Sequence, residues 1–436
     1  MRLRFGALWQ HPDFLKLWTG ESISLFGSQV TTLALPLVAI ITLHATAGQV
    51  ALVSTAIWAP YLIFTIFAGW WTDNHRRRPL LIVANLGQAA LLILLPGLAF
   101  FHLLRIEYVY IIAFLIGMFA VFFNTAYKPY LLTLIGREHL LEGNSKLQVS
   151  AAIAQIGGPG TGGLLVQLVT APFALLIDAG SFVVSALGLL FIRKREPAPE
   201  PASTSEPVWR QIVAGLMIVF RNPILRVLIL ASMTYNFFGV GFETLFVVYA
   251  TRDLQISPAL LGIILAMGSI GALFGALIAD PLAKKIGLGP ALILMTFLEG
   301  IVLLFIPFLG GPFVFKVACL VGVFLVNGMG LASTNIYYPS LRQSITDDAF
   351  LGRVNASTFW LILGAVPIGS AIAGGLQGLI GLRWTLVCQA VGLLFSVAWV
   401  VGPRIRTLRT LPTLASKERS EETLPTARTE TLPIEA

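Results

Sequence analysis

Five charged residues interrupt long apolar runs of the sequence, and these side chains are the best placed to do chemistry. They are Glu21, Lys128, Asp178, Glu243 and Glu299. A carboxylate that is buried without a full partner can bind and release a proton near neutral pH, so each acid is a candidate for proton coupling. The alternatives are snorkelling to the membrane surface for Glu21 and Lys128, an outward-facing gate contact for Glu243, and a structural role for Asp178 and Glu299.

The apolar runs that hold these charges dominate the chain. Of 436 residues, 56% are hydrophobic and 11% are charged, whereas about a quarter of the residues of a soluble domain are charged. This composition indicates a polytopic membrane protein. Twelve runs are long enough to cross a bilayer as helices, at 17–43, 48–71, 79–104, 108–132, 147–169, 172–192, 224–250, 259–283, 289–309, 313–338, 354–380 and 382–402.

The basic residues predict how these spans are oriented. An even number of spans puts both termini on one side, and all but four of the 29 Lys and Arg residues then fall on that side. The four exceptions are Arg105, Arg252, Lys316 and Arg383. The positive-inside rule therefore predicts a multi-pass protein of the cell (inner) membrane with both termini cytoplasmic. The net charge of +8 is then explained by anionic lipids, and no nucleic-acid partner is expected.

The chain divides into four predicted segments. Residues 1–192 form an N-terminal six-helix bundle, 193–223 a cytoplasmic linker, 224–403 a C-terminal six-helix bundle, and 404–436 a disordered cytoplasmic tail. The linker begins Pro-rich, but apolar residues at helical spacing over 208–220 predict a short amphipathic helix on the membrane surface. Short motifs recur in the same order in both halves, so we expect two pseudo-symmetric copies of one six-helix unit.

Small residues form a stripe in the fifth span. Ala154, Gly158 and Gly162 recur every four residues, and Gly163 follows. Such a stripe lets a neighbouring helix approach at backbone distance. Pro159 removes a backbone donor and is expected to bend the helix. The plainer interpretation is a close-packing site of the kind found in many membrane bundles.

The loop after the second span contains a second motif, from Gly69 to Arg78. Gly69 allows two helix ends to approach closely, and Asp73 lies at a helix end where it can face the positive N-terminus of another helix. Arg77 and Arg78 follow, and membrane topology alone is an alternative explanation for them.

These motifs together resemble a known family. The loop at 69–78 resembles the signature loop of the major facilitator superfamily, and 158–163 resembles the fifth-helix signature of its drug:proton antiporters. The order of Pro129, Asn144, the glycine run and 178–182 is similar to the branch that holds macrolide efflux proteins and the enterobactin exporter. The resemblance implies an all-α membrane protein with twelve transmembrane helices in two pseudo-symmetric six-helix bundles around one cavity.

The resemblance also implies which residues line that cavity, because spans one, four, seven and ten surround it in this superfamily. Glu21 and Glu243 are then the leading proton-coupling candidates, while Asp178 and Glu299 lie beside or outside the cavity. The expected lining is Phe26, Gln29, Thr31, Asn124, Tyr235, Asn236, Phe237, Phe238 and Asn327.

A cytoplasmic gate is implied in the same way. The resemblance places Asp73 against the start of the eleventh span near Arg353, in a contact that holds the cytoplasmic side shut. By the internal repeat, Asp280 is expected to contact the start of the fifth span. Arg77 and Arg78 are expected to face anionic lipid headgroups or the same gate.

The predicted function is secondary active export of hydrophobic or amphipathic small molecules, such as macrolide-like drugs, by proton antiport. The expected partners are the substrate, protons and membrane lipids, and the chain is expected to be a monomer. The alternatives are export of a siderophore or lysolipid, and a non-transporting membrane scaffold or channel subunit. The sequence has no phosphate-binding loop, HExxH motif or Cys/His cluster, so neither enzymatic activity nor a metal or other cofactor is expected.

Overall fold

The computed structural model describes residues 6–197 and 208–412, and these residues form helices joined by short connections. The helices are α1 Pro12–Leu37, α2 Ala47–Asn74, α3 Arg77–Phe100, α4 Ile106–Ile135, α5 Leu140–Val169, α6 Ala171–Leu190, α7 Val208–Arg221, α8 Pro223–Arg252, α9 Pro258–Ile286, α10 Leu288–Ile301, α11 Phe313–Ser344, α12 Asp348–Ile380, α13 Leu382–Val400 and α14 Pro403–Arg406. A π-helical turn, Val38–Thr42, extends α1, and a 3₁₀ segment, Val302–Phe308, extends α10.

Twelve helices among the described residues are long and apolar enough to cross a membrane, as predicted. They are α1–α6 and α8–α13, so spans seven to twelve of the sequence correspond to α8–α13. Local sequence sets several helix starts: the Thr46 side chain and Gln49 form a capping box at α2, and Asn222 caps α8. The all-α prediction is therefore confirmed for the described residues.

The twelve helices pack as two bundles with the same pairings. In the first bundle, α1 packs against α5 and α6, α3 against α4 and α6, and α2 against α4. In the second bundle, α8 packs against α12 and α13, α10 against α11 and α13, and α9 against α11. The equivalent helices thus have equivalent neighbours. We call the face with the start of α1 and the end of α13 the terminal face, and the opposite one the distal face.

A constant shift of 211 residues relates the third helices of the bundles, and it also relates the sixth. Pro79 and Pro96 of α3 correspond to Pro290 and Pro307 at the start and the 3₁₀ end of the second-bundle helix. The turns before the two sixth helices are related by the same shift. Thr170 precedes α6 with a φ of 75°, and Gly381 precedes α13 with a φ of 81°. Positive φ strains threonine but not glycine, so the shared backbone conformation comes from the fold.

A short helical segment precedes the first helix of each bundle and packs on the start of that bundle's fifth helix. In the first bundle, Glu142 of α5 accepts hydrogen bonds from the Gly6 and Leu8 N–H groups, at 3.1 and 3.4 Å. In the second, α7 packs on α12, and Gly215 lies against the Arg353 carbonyl. The short helix predicted over 208–220 is therefore present, while residues 198–207 of the linker lie outside the described residues.

The segment after the sixth helix of each bundle is tied to the start of the third. In the first bundle, Glu196 accepts hydrogen bonds from the Arg77 and Arg78 N–H groups, both at 3.0 Å. In the second, the Leu408 carbonyl accepts from the Gly289 N–H at 2.8 Å. Residues 403–412 are thus folded against α10, which differs from the predicted disordered tail beginning at 404. The rest of that tail, 413–436, lies outside the described residues.

Replacing Glu196 by alanine should lower the stability of the first bundle. The variant leaves two N–H groups at the start of α3 without their acceptor, and loss of such a cap costs about 1 kcal/mol. We expect a lower midpoint of thermal unfolding of the purified protein in detergent. Glu138, an exposed acid on the same face, provides the control: Glu138→Ala should leave the midpoint unchanged. Equal midpoints for the two variants would contradict a capping role for Glu196.

Candidate functional site

Glycines bring the two bundles together between α5 and α9 in their distal halves. A Cβ atom built on Gly163 would stand 2.2 Å from the Pro258 carbonyl oxygen, and one built on Gly262 would stand 2.1 Å from the Pro159 carbonyl oxygen. Only glycine fits at such distances, so the two backbones are in direct contact. The fifth-helix motif thus lies at a close approach of helices, and part of that approach is a contact between the bundles.

The other glycines of the motif pack within the first bundle. A Cβ on Gly158 would meet the Gln29 side chain of α1 at 2.3 Å, and one on Gly162 would meet the Val30 Cα at 3.2 Å. Ala154 is buried on the same face. One face of α5 therefore fits α1, whereas Pro159 and Gly163 contact α9. The helix remains continuous through Pro159, from Leu140 to Val169.

A second contact between the bundles joins α2 and α12. The Ser370 hydroxyl donates to the Ala51 carbonyl at 3.0 Å, and the Trp360 indole N–H donates to the Leu62 carbonyl at 3.2 Å. At the distal face, the Arg252 guanidinium at the end of α8 donates to the first bundle. The bundles are therefore closed against each other from the distal face to about the middle of these helices.

The contacts along the α5–α9 edge end near the middle of the molecule. The Ser269 hydroxyl donates to the Gln155 carbonyl at 2.6 Å. Toward the terminal face, the side chains of Phe274, Leu277 and Asp280 are exposed. Among the described residues, no hydrogen bond or ion pair joins the terminal halves of α5 and α9. A cleft between the bundles therefore opens toward the terminal face along this edge.

The predicted gate contacts are not formed in this state. Asp73 is exposed and, within the described ranges, makes no hydrogen bond or ion pair with α12. Asp280 pairs with Lys284 of its own helix rather than with α5. A Cβ on Gly69 would meet nothing within 4 Å, so no helix end approaches it closely. The start of α12 near Arg353 is instead packed against α7.

The basic residues of the loop have structural partners, which corrects part of the prediction. The Arg78 guanidinium donates to the Leu189 and Leu190 carbonyls at 2.9 and 2.7 Å, so it satisfies the last carbonyls of α6. Arg77 lies within 3.5 Å of the Thr133 hydroxyl of α4. Arg78 is thus bonded to the end of α6, and the lipid or gate contact predicted for it is wrong in this state.

Glu243 faces the space between the bundles. Its side chain is exposed, although the residues on both sides of it along α8 are buried. Phe237 and Gly241 contact α12, and Phe238 packs on Gly392 of α13. Because successive residues of a helix are about 100° apart, position 243 points away from both contacts. That side of α8 is turned toward α1 and α2 of the other bundle.

Glu21 lies inside the first bundle, away from the cleft. Its side chain is buried, and its Oε2 atom has no hydrogen-bond partner among the described residues. The carboxylate interacts electrostatically with Tyr127 of α4, whose hydroxyl is also without a hydrogen bond. The two sequence-predicted acids are therefore not brought together: Glu243 is exposed to the cleft and Glu21 is buried behind it.

Asp178 and Glu299 are each buried within one bundle. The Thr31 hydroxyl of α1 and the Ser181 hydroxyl both donate to the Asp178 carboxylate. The Thr334 hydroxyl of α11 donates to Glu299 Oε2 at 3.2 Å, and the Tyr235 hydroxyl of α8 faces the same carboxylate. Thr31 is therefore turned into its own bundle rather than toward the cavity, because it serves as a donor to a buried acid.

The other predicted lining residues fall into two groups. Asn124 is exposed and donates to the Tyr61 hydroxyl of α2 at 3.1 Å, and Asn236 is partly exposed. Most of the remaining residues have side chains that pack within their own bundles: Phe26 and Gln29 against α5, Phe238 against α13, and Tyr235 and Asn327 at Glu299. The backbone of Phe237 contacts α12 at Gly369. The prediction of Phe238 as cavity wall is wrong, because Gly392 leaves room for its ring between α8 and α13.

The sequence did not indicate that Glu299 contacts helices predicted to line the cavity, namely α8 and α11. It also did not indicate that the Trp360 indole donates a hydrogen bond from one bundle to the other. The shift of 211 residues between the proline pairs was the available signal for the position of Glu299. Among the described residues, no group of three or more His, Cys, Asp and Glu could hold a metal ion.

Comparison with known proteins identifies the fold. The model of the Major Facilitator Superfamily matches residues 17–362. The chain belongs to this superfamily. It is 28% identical to the multidrug efflux pump Tap of Mycolicibacterium fortuitum, over 88% of this chain and 93% of that protein. It is 25% identical to macrolide efflux protein A of Streptococcus pyogenes, over 91% and 97%. These relatives confirm the resemblance to a superfamily of membrane transporters.

Solved structures of the superfamily have the same fold. A bacterial homologue of the iron transporter ferroportin in its inward-facing state matches with a TM-score of 0.72 at 16% identity, over 91% of this chain and 98% of that one. The same homologue in its outward-facing state matches with a TM-score of 0.57 at 17% identity, over 89% and 98%.

Proposed function

We propose that the protein is a proton-coupled exporter of hydrophobic or amphipathic small molecules, including macrolide-like drugs, in the cell membrane. The terminal face is then cytoplasmic, in agreement with the positive-inside distribution of Lys and Arg. Two relatives that span most of the chain are a multidrug and a macrolide efflux protein, and they support this class of substrate.

One observation carries the proposal: the cleft between the bundles is closed at one face, and a carboxylate is exposed inside it. Glu243 lies distal to the middle of α8 and is exposed, so it is at the closed end of the cleft. Charged residues within membrane spans are costly and usually serve transport or proton relay. A carboxylate at this depth can bind a proton or a cationic group of a substrate, but not both at once.

Alternating access then follows from the two sets of contacts between the bundles. Backbone contact at Gly163 and Gly262 closes the distal face in the present state. When the bundles rock, that contact opens, and Asp73 and Asp280 approach the starts of α12 and α5 at the terminal face. The positive ends of those helices stabilise the two carboxylates and so favour the opposite closed state.

The test is transport by the purified protein in proteoliposomes, with erythromycin as the probe. We expect erythromycin to accumulate when a pH gradient is imposed, and Glu243→Gln to reduce this accumulation by about tenfold or more, since one pH unit across the membrane is worth about 1.4 kcal/mol per coupled proton. Exchange of labelled for unlabelled erythromycin without a gradient should persist in the variant.

The control is Glu107→Gln, which removes an exposed acid in the first turn of α4, at the distal face. This variant should match the unmodified protein. Full proton-driven accumulation in Glu243→Gln would remove the coupling role of this acid. No gradient-driven movement of any tested compound by the unmodified protein would favour a non-transporting scaffold or channel subunit.

Siderophore export is the second candidate function, because the chain is also 24% identical to the enterobactin exporter of Shigella flexneri, over 86% of this chain and 87% of that protein. Enterobactin added to the same proteoliposome assay separates the two. Gradient-driven movement of enterobactin but not of erythromycin would favour the siderophore over the drug.

A further inference from the structure

At two buried positions, one bundle has a carboxylate where the other has an amide. With the shift of 211 residues, Glu299 of α10 corresponds to Gln88 of α3, and Gln389 of α13 corresponds to Asp178 of α6. All four side chains are buried, with relative exposures of 3%, 4%, 2% and 1%. Their buried apolar neighbours match at the same shift, as Leu81 and Leu92 do with Leu292 and Leu303, and Leu175 and Ala179 with Leu386 and Ala390.

The fold therefore accommodates an uncharged side chain at the Gln88 position. Gln88 donates from Nε2 to the Ala84 carbonyl at 3.3 Å, one turn earlier in α3. In the second bundle, the neutral Gln389 is accommodated at the position that Asp178 occupies in the first. A carboxylate costs more to bury than an amide of the same size, so the acid of Glu299 requires an explanation other than packing.

The hydroxyl of Thr334 can form hydrogen bonds with both the protonated and the ionised carboxyl group of Glu299. The Thr334 hydroxyl lies 3.2 Å from Oε2 and 3.0 Å from the Leu331 carbonyl. It can donate to the ionised carboxylate. After Oε2 binds a proton, the new O–H can donate to the Thr334 oxygen while the Thr334 hydroxyl donates to Leu331. The hydrogen bonds of Thr334 are therefore satisfied in both protonation states.

The groups that face Glu299 come from several helices, and none of them is basic. The Tyr235 hydroxyl of α8 and the Tyr338 hydroxyl of α11 are the titratable groups near its carboxylate. Asn327 of α11 donates to its backbone carbonyl at 2.8 Å, and Leu394 of α13 packs beside it at Gly300. Among the described residues, no Lys, Arg or His forms an ion pair with Glu299. An ionised carboxylate there has no compensating charge.

Tyr235 connects this buried acid with the exposed one. Its hydroxyl faces Glu299, and it also interacts electrostatically with Glu243. Glu243 is exposed to the cleft, whereas Glu299 is buried. Tyr235 is thus a hydroxyl-bearing side chain that interacts with both the exposed and the buried acid. Asp178 has no comparable tie to an exposed acid: among the described residues, the donors to its carboxylate are hydroxyls of α1 and α6.

We propose that Glu299 is a second proton-binding site, which takes its proton from the cleft on the side of Tyr235 and releases it when the bundles rock. In this step, Oε2 of the carboxylate gains a proton to form a neutral carboxyl group, and the same O–H bond breaks on release. The proposal rests on the proposed proton-coupled function. Glu299 then stores the proton, whereas Glu243 is the acid exposed to the cleft.

The first experiment detects the protonated carboxyl group without any substrate. Infrared difference spectra of the purified full-length protein, recorded between acidic and alkaline buffer, should contain the C=O band of a buried carboxylic acid. Because Glu21 and Asp178 are also buried and can give bands of this kind, Glu299→Gln should lower the intensity of the band by the share of one carboxyl group, and Glu107→Gln should leave it at full intensity. A band of undiminished intensity in Glu299→Gln would overturn the proposal, whether or not erythromycin is a substrate.

The second experiment separates a proton site from a structural acid. Because Gln88 occupies the equivalent position, Glu299→Gln should fold and unfold at the same temperature as the unmodified protein. In proteoliposomes it should lose at least about tenfold of the gradient-driven erythromycin accumulation, the equivalent of one pKa unit of coupling free energy, and keep exchange without a gradient. If the unmodified protein couples erythromycin to protons and Glu299→Gln accumulates as much erythromycin as it does, the role of Glu299 is overturned while the proposed function stands.

A third variant covers the case in which Glu299→Gln does not fold. Tyr235→Phe keeps the ring and the carboxylate but removes the hydroxyl that interacts with both acids. It should retain the infrared band, shift the pH at which half of the band is lost, and slow gradient-driven transport relative to exchange. An unaltered titration and an unaltered ratio of the two rates would contradict the role assigned to Tyr235 and Glu299.

Discussion

Replacing Gly163 by alanine is expected to open the distal face and to impair transport by about tenfold. A Cβ at this position would stand 2.2 Å from the Pro258 carbonyl oxygen and 3.2 Å from the Ala259 Cα. Both are backbone atoms, so no side-chain rotation relieves the clash, and α5 and α9 must separate. Overpacking of this kind costs about 1–3 kcal/mol, which lowers the population of the distally closed state by a factor of roughly ten.

Spin-label distances across the distal face measure this change. Leu168 of α5 and Ile263 of α9 are exposed and can carry the labels after Cys319 and Cys388 are replaced by serine. Gly163→Ala should lengthen the distance between the labels. Gly160→Ala is the matched control, because a Cβ there meets nothing within 4 Å. If Gly163→Ala and Gly160→Ala had the same distance distribution and the same transport rate, the contact at Gly163 would not be what closes the distal face.

The number of spans was predictable because it depends only on local properties. Each run is long enough and apolar enough to identify itself, and the distribution of Lys and Arg agrees with an even number. The helix over 208–220 was predictable for the same reason, from its apolar spacing. Sequence alone did not indicate that α7 packs on α12 at Gly215, because that contact depends on how two distant segments meet in space.

The residue types of the candidate site could be predicted from the sequence, but the contacts that these residues make could be predicted only in part. Asp73 and Asp280 were expected in gate contacts, and these depend on which face of the protein is open. Arg78 was expected to face lipid headgroups or the gate, but it donates hydrogen bonds to the end of α6. Where α6 lies relative to α3 depends on the tertiary packing, which the sequence does not show. Thr31 lies on a helix that the resemblance places at the cavity, and only the packing of α1 on α6 turns its hydroxyl to Asp178.

Glu299 illustrates what an internal repeat adds. Considered alone, it is an acid in a span that the superfamily plan places outside the cavity, and a structural role was the plainer interpretation. The prolines of α3 and α10 give the register that pairs it with Gln88. The amide then shows that the fold does not need the charge. A comparison of the two halves of one chain thus separates what packing requires from what remains to be explained.

Replacing Gly271 by alanine is expected to destabilise the second bundle without changing which face is open. A Cβ at Gly271 of α9 would stand 1.9 Å from the Leu325 carbonyl oxygen of α11. Gly275 and Gly328 lie equally close to the backbone of the facing helix, so α9 and α11 touch along their length. We expect a loss of ~2–3 kcal/mol of stability, measured as a lower unfolding midpoint in detergent.

The control for this variant is Gly268→Ala on the same helix, where a Cβ would be in ordinary contact, 3.6 Å from the Phe324 carbonyl oxygen. It should unfold close to the unmodified protein. Because α9 and α11 belong to one bundle, their contact is kept while the bundles rock, and Gly271→Ala should not alter the spin-label distance between Leu168 and Ile263. A lengthened distance in this variant would show that the bundles do not move as rigid units, since a contact inside one bundle would then control the opening between them.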